Sequence, residues 1–254
     1  MKIALLHFDF CGGPQEKNTK KILCGMKMAK EAGARWIITP EMALQGYLMK
    51  ISKNPYTIAS EENGIFLPFQ KACQELNVKL FLGCAENDGR FDRNSCTVID
   101  ENGRIIARHG KIKVVKWITE NWAEPGDNLE PFLIDGINTG LLVCADSYYG
   151  IHGVIERKNG AELLIVICAW PPRGCGGPPE HAWIRLSTLA YDIPVLICNQ
   201  TGNNGMNCLD AQSAVVVGDV LFTYEGDEAI LYIDFDEVNK KVLSKSFAVQ
   251  KVNF

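Results

Sequence analysis

The sequence predicts an α/β fold in which two mixed sheets pack face to face between outer helices, a four-layer α-β-β-α sandwich. Three features of the 254-residue chain indicate this class. Short apolar runs typical of buried strands alternate with stretches of helical periodicity. An Asn-Gly hairpin signal interrupts this alternation in the middle of the chain. The second half of the chain then repeats the pattern of the first, as expected for two similar layers.

Strands and helices alternate in the first half. Strand-like runs lie at Lys2–His7, Arg35–Thr39 and Leu80–Cys84. The two segments between them have apolar residues at helical spacing, first Ile22, Met26 and Ala29, then Ile65, Phe69, Ala72, Cys73 and Leu76. This order predicts a βαβαβ unit with helices packed against a sheet.

A hairpin and a second unit follow. The turn Asp100–Gly103 separates two short apolar runs, and its Asn-Gly pair favours the positive φ angles of a tight turn. Further strands are predicted at Gly140–Val143, Leu163–Ile167, Val195–Cys198, Ala214–Val217, Val220–Tyr224 and Ala229–Ile233. A polar stretch up to Gly160 and a segment around Trp183–Ala190 are predicted to be helical. Each half therefore contains two βα steps and a hairpin.

Composition favours one globular domain over residues 1–254. The chain is 47% hydrophobic and 22% charged, and no Pro/Gly/Ser-rich linker divides it. The net charge of -4 and the absence of a Lys/Arg cluster exclude the electrostatic footprint of a nucleic-acid binder. We therefore expect a small-molecule partner.

The sequence also argues against a membrane protein. No apolar stretch approaches the roughly 18–20 residues of a membrane span. The N-terminal apolar run is interrupted by His7 and Asp9, so we interpret it as a first strand rather than a signal peptide. A cytoplasmic location is the resulting expectation.

The cysteines do not resemble a disulfide framework or a zinc site. The ten cysteines are scattered through a long chain, and Cys84, Cys144, Cys168 and Cys198 lie within apolar strand-like runs. No C-x-x-C occurs, and no His/Cys spacing matches a metal site. We expect reduced thiols, no metal and no cofactor.

Two polar side chains directly follow predicted strands, where ligands bind in α/β sheets. Glu41 comes after the strand ending at Thr39, and Cys144 follows Gly140–Val143. Each also has an ordinary structural interpretation: an inert buried thiol for Cys144 and a carboxylate at a helix start for Glu41. Lys111, taken alone, is typical of a solvated lysine on an edge strand.

Taken together, the surrounding motifs resemble the nitrilase superfamily of carbon–nitrogen hydrolases, in its amidase-like branch. The resemblance runs through nearly the whole chain. The motifs are Ile38–Tyr47 around Glu41, Asn94–Lys111, Gly140–Asp146 around Cys144, the Glu120 to Asp127 segment, Gly160–Leu164, Ala169-Trp170 and Asn199–Gly202. Each motif is weak alone, but they occur in the order of the family.

The resemblance implies a catalytic set of Cys144, Glu41, Lys111 and Glu120. Cys144 would attack a carbonyl carbon, and Glu41 would serve in turn as base and acid. Lys111, with the backbone N–H of Ala145 beside Cys144, would stabilise the oxyanion, a contribution on the order of 3–4 kcal/mol per donor lost. Glu120 would orient Lys111 or the substrate. Lys113 competes for the lysine role, but Lys111 fits the motif better.

Substrate contacts are less defined. Trp170 and Tyr47 are candidates for the pocket wall, with Trp183 as a further possibility, although core packing explains the tryptophans equally well. The Gly/Pro-rich loop Pro171–Pro179 is expected at the pocket rim. After Asp146 the chain departs from the family pattern over Ser147–Gly153, and again over residues 191–194.

The leading hypothesis is hydrolysis of a small linear amide or N-carbamoyl compound, with water as the second reactant. Ala145-Asp146 after the cysteine favours an amidase over a nitrilase, which stays the alternative within the class. A catalytically silent binding or scaffold protein is an alternative from another class. By resemblance we expect a homodimer or larger homo-oligomer.

Overall fold

The structure is a computed structural model that describes residues 1–10, 12–116, 119–172, 179–203 and 205–254. Its helices are α1 (Gln15–Glu31), α2 (Leu67–Leu76), α3 (Gly150–Lys158) and α4 (Pro179–Leu189). None of the helices in these ranges has the length and apolar character needed to cross a bilayer.

The strands of the described chain form two mixed sheets. One sheet consists of β1 (Lys2–His7), β2 (Ala34–Ile38), β3 (Lys79–Asn87), β4 (Asp92–Ile99), β5 (Ile105–Gly110), β12 (Ala229–Asp236), β13 (Lys241–Val242) and β14 (Ala248–Lys251). The other consists of β6 (Phe132–Ile134), β7 (Ile137–Val143), β8 (Leu163–Cys168), β9 (Val195–Asn199), β10 (Ser213–Val217) and β11 (Val220–Tyr224).

Five strands of each sheet, β1–β5 and β7–β11, share one topology, as the repeated sequence pattern predicts. In the first, β1, β2 and β3 are parallel and β4 and β5 continue as an antiparallel hairpin. In the second, β7, β8 and β9 are parallel and are followed by the antiparallel strands β10 and β11. The edge next to β1 is covered by β12, and that next to β7 by β6, both antiparallel. The predicted duplication is confirmed.

The alternation of side chains between the two faces of each strand explains the four layers of the sandwich. Ile3 and Leu5 of β1 pack in a core shared with Leu141 and Ile165 of the opposite sheet, whereas Leu6 faces the core beneath α1 and α2. Successive side chains of a strand point to opposite faces, so each inner strand contributes to two cores. Trp183 and Leu186 of α4 pack on the outer face of the second sheet. The predicted α-β-β-α sandwich is therefore confirmed.

The sequence pattern does not predict four short elements. Strand β6 and the C-terminal strands β13 and β14 are too short or too exposed for a two-residue period to identify them. A short 3-10 helix at Cys144–Tyr148 also follows β7 directly.

The central hairpin differs from a two-residue Asn-Gly turn. Gly103 has a positive φ of 72°. The Asp100 carboxylate accepts hydrogen bonds from the backbone N–H groups of Asn102 and Arg104, and so closes a longer loop.

The segment after β2 is fastened to β3 at a point where only glycine fits. Gly83 donates its N–H to Thr39 Oγ1 at 2.8 Å, and its carbonyl accepts from the N–H of Leu44 at 3.1 Å. A Cβ at position 83 would lie 1.9 Å from the carbonyl oxygen of Pro40 and 3.0 Å from the Cα of Glu41. This close approach of two backbones fixes the position of Glu41.

We expect Gly83→Ala to destabilise the protein, because the methyl group meets backbone atoms that cannot move away. The overpacking cost is about 1–3 kcal/mol of unfolding free energy, measured by urea denaturation. Gly110→Ala is the matched control, since the three atoms nearest to its added methyl would all belong to the side chain of Arg93. An equal or larger loss in the control would contradict this account.

Candidate active site

The carboxyl ends of the parallel strands of both sheets meet at one edge of the sandwich. Glu41 follows β2, Cys144 follows β7, Ala169 follows β8 and Gln200 follows β9. The backbone N–H of Ala169 donates to Glu41 Oε2 at 2.9 Å, and Gln200 Nε2 donates to the Glu41 carbonyl oxygen at 2.8 Å. Glu41 therefore lies where the two sheets touch, and bonds from the second sheet hold it.

A buried ionic cluster forms around Glu41. Lys111 Nζ donates to Glu41 Oε1 at 2.7 Å and to Glu120 Oε1 at 2.5 Å. Asn94 Nδ2 donates to the same two oxygens, at 2.8 Å and 3.1 Å. Each donor thus bridges the two carboxylates, and both oxygens of Glu41 accept hydrogen bonds, an arrangement that suits the ionised form.

Glu120 also accepts a hydrogen bond from the backbone that precedes it in the chain. Its Oε2 accepts from the backbone N–H of Val115 at 2.7 Å. Lys111 lies just beyond β5, and its N–H donates to the Asn94 carbonyl at 2.7 Å. Two of the three ammonium hydrogens of Lys111 are used by the carboxylates, which leaves one for an acceptor such as a substrate oxygen.

The backbone at Cys144 makes a sharp turn. Cys144 has a φ of 46°, in the left-handed region that a residue with a side chain seldom adopts. Val143 before it is extended, and the 3-10 helix begins at Cys144 itself. Ser147 Oγ donates to the Cys144 carbonyl at 2.7 Å and stabilises the turn. Unusual backbone conformations of this kind concentrate at functional sites.

The Cys144 thiol interacts with the cluster. Its hydrogen bond to Glu41 lowers the pKa of that carboxyl, and its charge when ionised raises the pKa of Lys111. Cys144 is 7% exposed, whereas Glu41 and Lys111 are fully buried. The structure thus brings together the sulfur, carboxylate and ammonium that the sequence analysis singled out, with Glu120 behind them.

Burial and the neighbouring charges act in opposite directions on the pKa values of Glu41 and Lys111. Desolvation raises the pKa of Glu41 above its ordinary value, although the Lys111 ammonium opposes the shift. Burial alone would lower the pKa of Lys111, but the Glu41 carboxylate and the other nearby groups raise it well above the usual range. Lys111 therefore keeps its charge over a wide pH range.

The Cys144 thiol holds its proton at rest. A hydrogen bond with the Cys168 thiol, together with burial and the Glu41 charge, raises the pKa of Cys144 well above its usual value, against the pull of Lys111. A thiol of this kind becomes a nucleophile by giving its proton to a neighbouring base rather than by ionising beforehand.

Asp146 connects the lysine loop to the cysteine turn. Its Oδ1 accepts from the N–H groups of Ile112 and Lys113, at 3.0 Å and 2.7 Å. Its Oδ2 contacts His109 Nε2 at 3.1 Å and accepts from the Val143 N–H at 3.1 Å. Burial alone would raise the pKa of Asp146, but the hydrogen bonds lower it, so the carboxylate is ionised at neutral pH.

The remaining predicted residues surround this centre to different degrees. The Tyr47 ring lies 5.8 Å from Lys111 Nζ, and Tyr47 OH accepts from Thr119 Oγ1 at 3.0 Å. Ala145 is the second residue of the 3-10 helix, beside Cys144. The ammonium of Lys113, the competing lysine, lies over the Tyr149 ring at 4.8 Å.

Both tryptophans considered for the pocket are buried. Trp170 packs edge-on against Trp183 at 6.2 Å between ring centroids. Asn199 fixes the backbone of Trp170, because its Oδ1 accepts from the Trp170 N–H at 2.9 Å and its Nδ2 donates to the carbonyl at 3.0 Å. Of the predicted rim loop, residues 173–178 lie outside the described residues.

Sequence reasoning gave no role to Asn94, Asp146 or the N–H of Ala169, although all three lie within the quoted motifs. Ala169 directly follows β8, and this position is a signal that would have found it. Asn94 lies within β4 and Asp146 within the 3-10 helix, where the sequence carries no such signal. Among the described residues, no group of three or more His, Cys, Asp and Glu side chains is placed to hold a metal ion.

Comparison with solved structures identifies proteins of the same fold. A carbon-nitrogen hydrolase from Helicobacter pylori G27 has a TM-score of 0.80 at 19% identity, covering 94% of this chain and 90% of that one. An amidase variant from Nesterenkonia sp. AN1, with acrylamide added at its active-site cysteine, has a TM-score of 0.79 at 20% identity, covering 93% of each chain. At these identities the similarity shows a shared fold.

Sequence comparison identifies the family. The glutamine-dependent NAD(+) synthetase of Thermotoga maritima is 23% identical over 250 residues, which are 93% of this chain and 42% of the synthetase. The chain thus spans less than half the length of this relative. Residues 12–232 match the family model described as carbon-nitrogen hydrolase. This match covers most of the chain, which therefore belongs to the carbon-nitrogen hydrolase family, as the resemblance to the nitrilase superfamily predicted.

Proposed function

We propose that this carbon–nitrogen hydrolase cleaves a small linear amide or an N-carbamoyl compound through a thioester on Cys144. The observation that carries the proposal is the Glu41 carboxylate, which is hydrogen-bonded to Lys111 at 2.7 Å and interacts with the Cys144 thiol. A base, a cation and a nucleophile thus share one buried site, as acyl transfer requires.

The first half-reaction forms the thioester. Glu41 accepts the thiol proton as the Cys144 sulfur attacks the substrate carbonyl carbon. The free hydrogen of the Lys111 ammonium and the N–H of Ala145 stabilise the negative charge that develops on the carbonyl oxygen. Glu41 then gives its proton to the leaving nitrogen, and the amine or ammonia departs.

The second half-reaction restores the thiol. Glu41 is again a carboxylate and takes a proton from a water molecule, which attacks the thioester. The tetrahedral intermediate collapses, the acid product leaves, and the proton returns to the Cys144 sulfur. Asn94 and Glu120 act through Lys111 and Glu41, whose positions they fix.

The substrate class is tested by measuring ammonia release from a panel of aliphatic amides, L-glutamine, N-carbamoyl compounds and nitriles. Glutamine is included because the Thermotoga relative is described as glutamine-dependent. We expect release from at least one amide or carbamoyl compound. Release from nitriles alone would overturn the amide preference, and release from no member of the panel would favour a binding protein.

Cys144→Ala is expected to lower kcat with the best substrate by about a thousandfold or more, because no acyl-enzyme can form. Cys24→Ala is the matched control, since this exposed cysteine lies on α1, away from the site. Circular dichroism of both variants shows whether the fold is retained. Activity in a folded Cys144→Ala protein would exclude the thioester route.

The fall in kcat/KM at low pH, which is the acid limb of the pH profile, reports the pKa of the general base. Glu41 must be ionised to accept a proton, so kcat/KM should fall as pH drops through its raised pKa, above the ordinary value of 4.5. The charge of Glu120 contributes to raising that pKa. We therefore expect Glu120→Gln to move the acid limb to lower pH.

Glu124→Gln provides the control for the pH profile, because Glu124 is an exposed glutamate paired with Lys116. Its acid limb should coincide with that of the unmodified protein. A limb that stays fixed or moves to higher pH in Glu120→Gln would show that Glu41 is not the titrating base.

A further inference from the structure

Two thiols lie side by side at the carboxyl ends of neighbouring strands. Val143 of β7 is paired with Ile167 of β8, so the next residues, Cys144 and Cys168, are adjacent across the parallel pair. Neighbouring strands lie about 4.8 Å apart. This spacing is within the Cα separation of about 4.4–6.8 Å that a disulfide requires.

The two thiols interact. The Cys168 thiol is the strongest of the influences that raise the pKa of Cys144. Both cysteines are free, and Cys168 is fully buried while Cys144 keeps 7% exposure. A small oxidant can therefore reach Cys144, and Cys168 is placed to react with whatever forms there.

We propose that Cys144 and Cys168 form a reversible oxidative modification site, at which hydrogen peroxide oxidises Cys144 and Cys168 resolves the product as a disulfide. Loss of hydrolytic activity through this disulfide rests on the function proposed above for Cys144. The disulfide itself does not.

The reaction balances in two steps. The Cys144 sulfur attacks the peroxide and forms an S–O bond as the O–O bond breaks. The thiol proton passes to the departing oxygen, which leaves as water. The Cys168 sulfur then attacks the Cys144 sulfur, so that an S–S bond forms and the S–O bond breaks. The hydroxyl takes the Cys168 proton and leaves as a second water. The thiols lose two electrons and two protons, and the peroxide is reduced.

Glu41 supplies a proton acceptor for the first step, and Cys168 supplies the thiol for the second. The Glu41 carboxylate is hydrogen-bonded with the Cys144 thiol and can accept its proton. Without a resolving partner, a sulfenic acid continues to the sulfinic acid, which ordinary thiols do not reduce. Cys168 therefore protects the sulfur, and a dithiol reductant restores both residues.

Cys198 is the competing partner and provides a matched control. It is paired with Ile167 and so lies one position away from Cys168, on the other neighbouring strand. Its thiol donates to the carbonyl oxygens of Ile38 at 3.3 Å and Leu6 at 3.7 Å, in the opposite sheet. These bonds direct the Cys198 sulfur away from the cysteine pair.

The experiment treats the reduced full chain with hydrogen peroxide, blocks the remaining thiols with N-ethylmaleimide and maps peptides without reduction. The unmodified protein and Cys198→Ala should lose two hydrogen atoms and contain a Cys144–Cys168 crosslink. Cys168→Ala should contain no crosslink and accumulate sulfinic acid at Cys144. Cys168→Ser replaces Cys168→Ala in this experiment if the alanine variant does not fold.

Two results would overturn the proposal. One is oxidation of Cys144 to the sulfinic acid at the same rate with and without Cys168. The other is a crosslink between Cys168 and Cys198 in place of the predicted one.

Activity is measured in parallel on the substrate that the panel identifies. Ammonia release should fall in proportion to the crosslink and return with dithiothreitol, whereas the loss in Cys168→Ala should persist. A crosslinked protein that hydrolyses nothing before oxidation would refute the proposed function and leave the modification site standing. An active protein without a crosslink would refute the modification site alone.

Discussion

The structure depends on one buried ionic contact, the Lys111 ammonium held between the carboxylates of Glu41 and Glu120. All three side chains are almost fully buried, and the cluster lies where the carboxyl edges of the two sheets meet. Removing one partner from such a cluster leaves an uncompensated charge and is expected to cost about 3–5 kcal/mol. The bridging amide of Asn94 and the N–H of Ala169 complete the hydrogen bonds that make this burial tolerable.

The burial of these charges also changes the proton affinity of Glu41, the base in the proposed mechanism. Desolvation raises the pKa of Glu41, which makes it a stronger base, while the surrounding donors favour its ionised form. The Cys144 thiol next to it stays protonated at rest. In the proposed mechanism, nucleophile and base therefore share one proton, and the thiolate forms when a substrate is present. Asp146 fixes the loop after β5 relative to the turn at Cys144, because its carboxylate accepts hydrogen bonds from the backbone N–H groups of Lys113 and Val143.

Much of this arrangement could be predicted from sequence, for identifiable reasons. Short apolar runs precede both Glu41 and Cys144, and the motifs that resemble the family place both residues after strands. The contacts of Asn94 and Asp146 could not be predicted, because they depend on how two sheets distant in sequence approach each other. The pairing of Cys144 with Cys168 follows from the register of β7 and β8, which an apolar run does not specify. Strand β6 is too short for any pattern.

The most direct test of the central claim is the rate at which iodoacetamide alkylates Cys144, followed by peptide mass spectrometry. If Glu41 accepts the thiol proton, Glu41→Gln should slow this alkylation markedly, even though loss of the Glu41 charge lowers the pKa of Cys144, while the exposed Cys24 reacts at an unchanged rate. An equal or faster rate at Cys144 in Glu41→Gln would show that the carboxylate does not activate the sulfur, and would contradict the account.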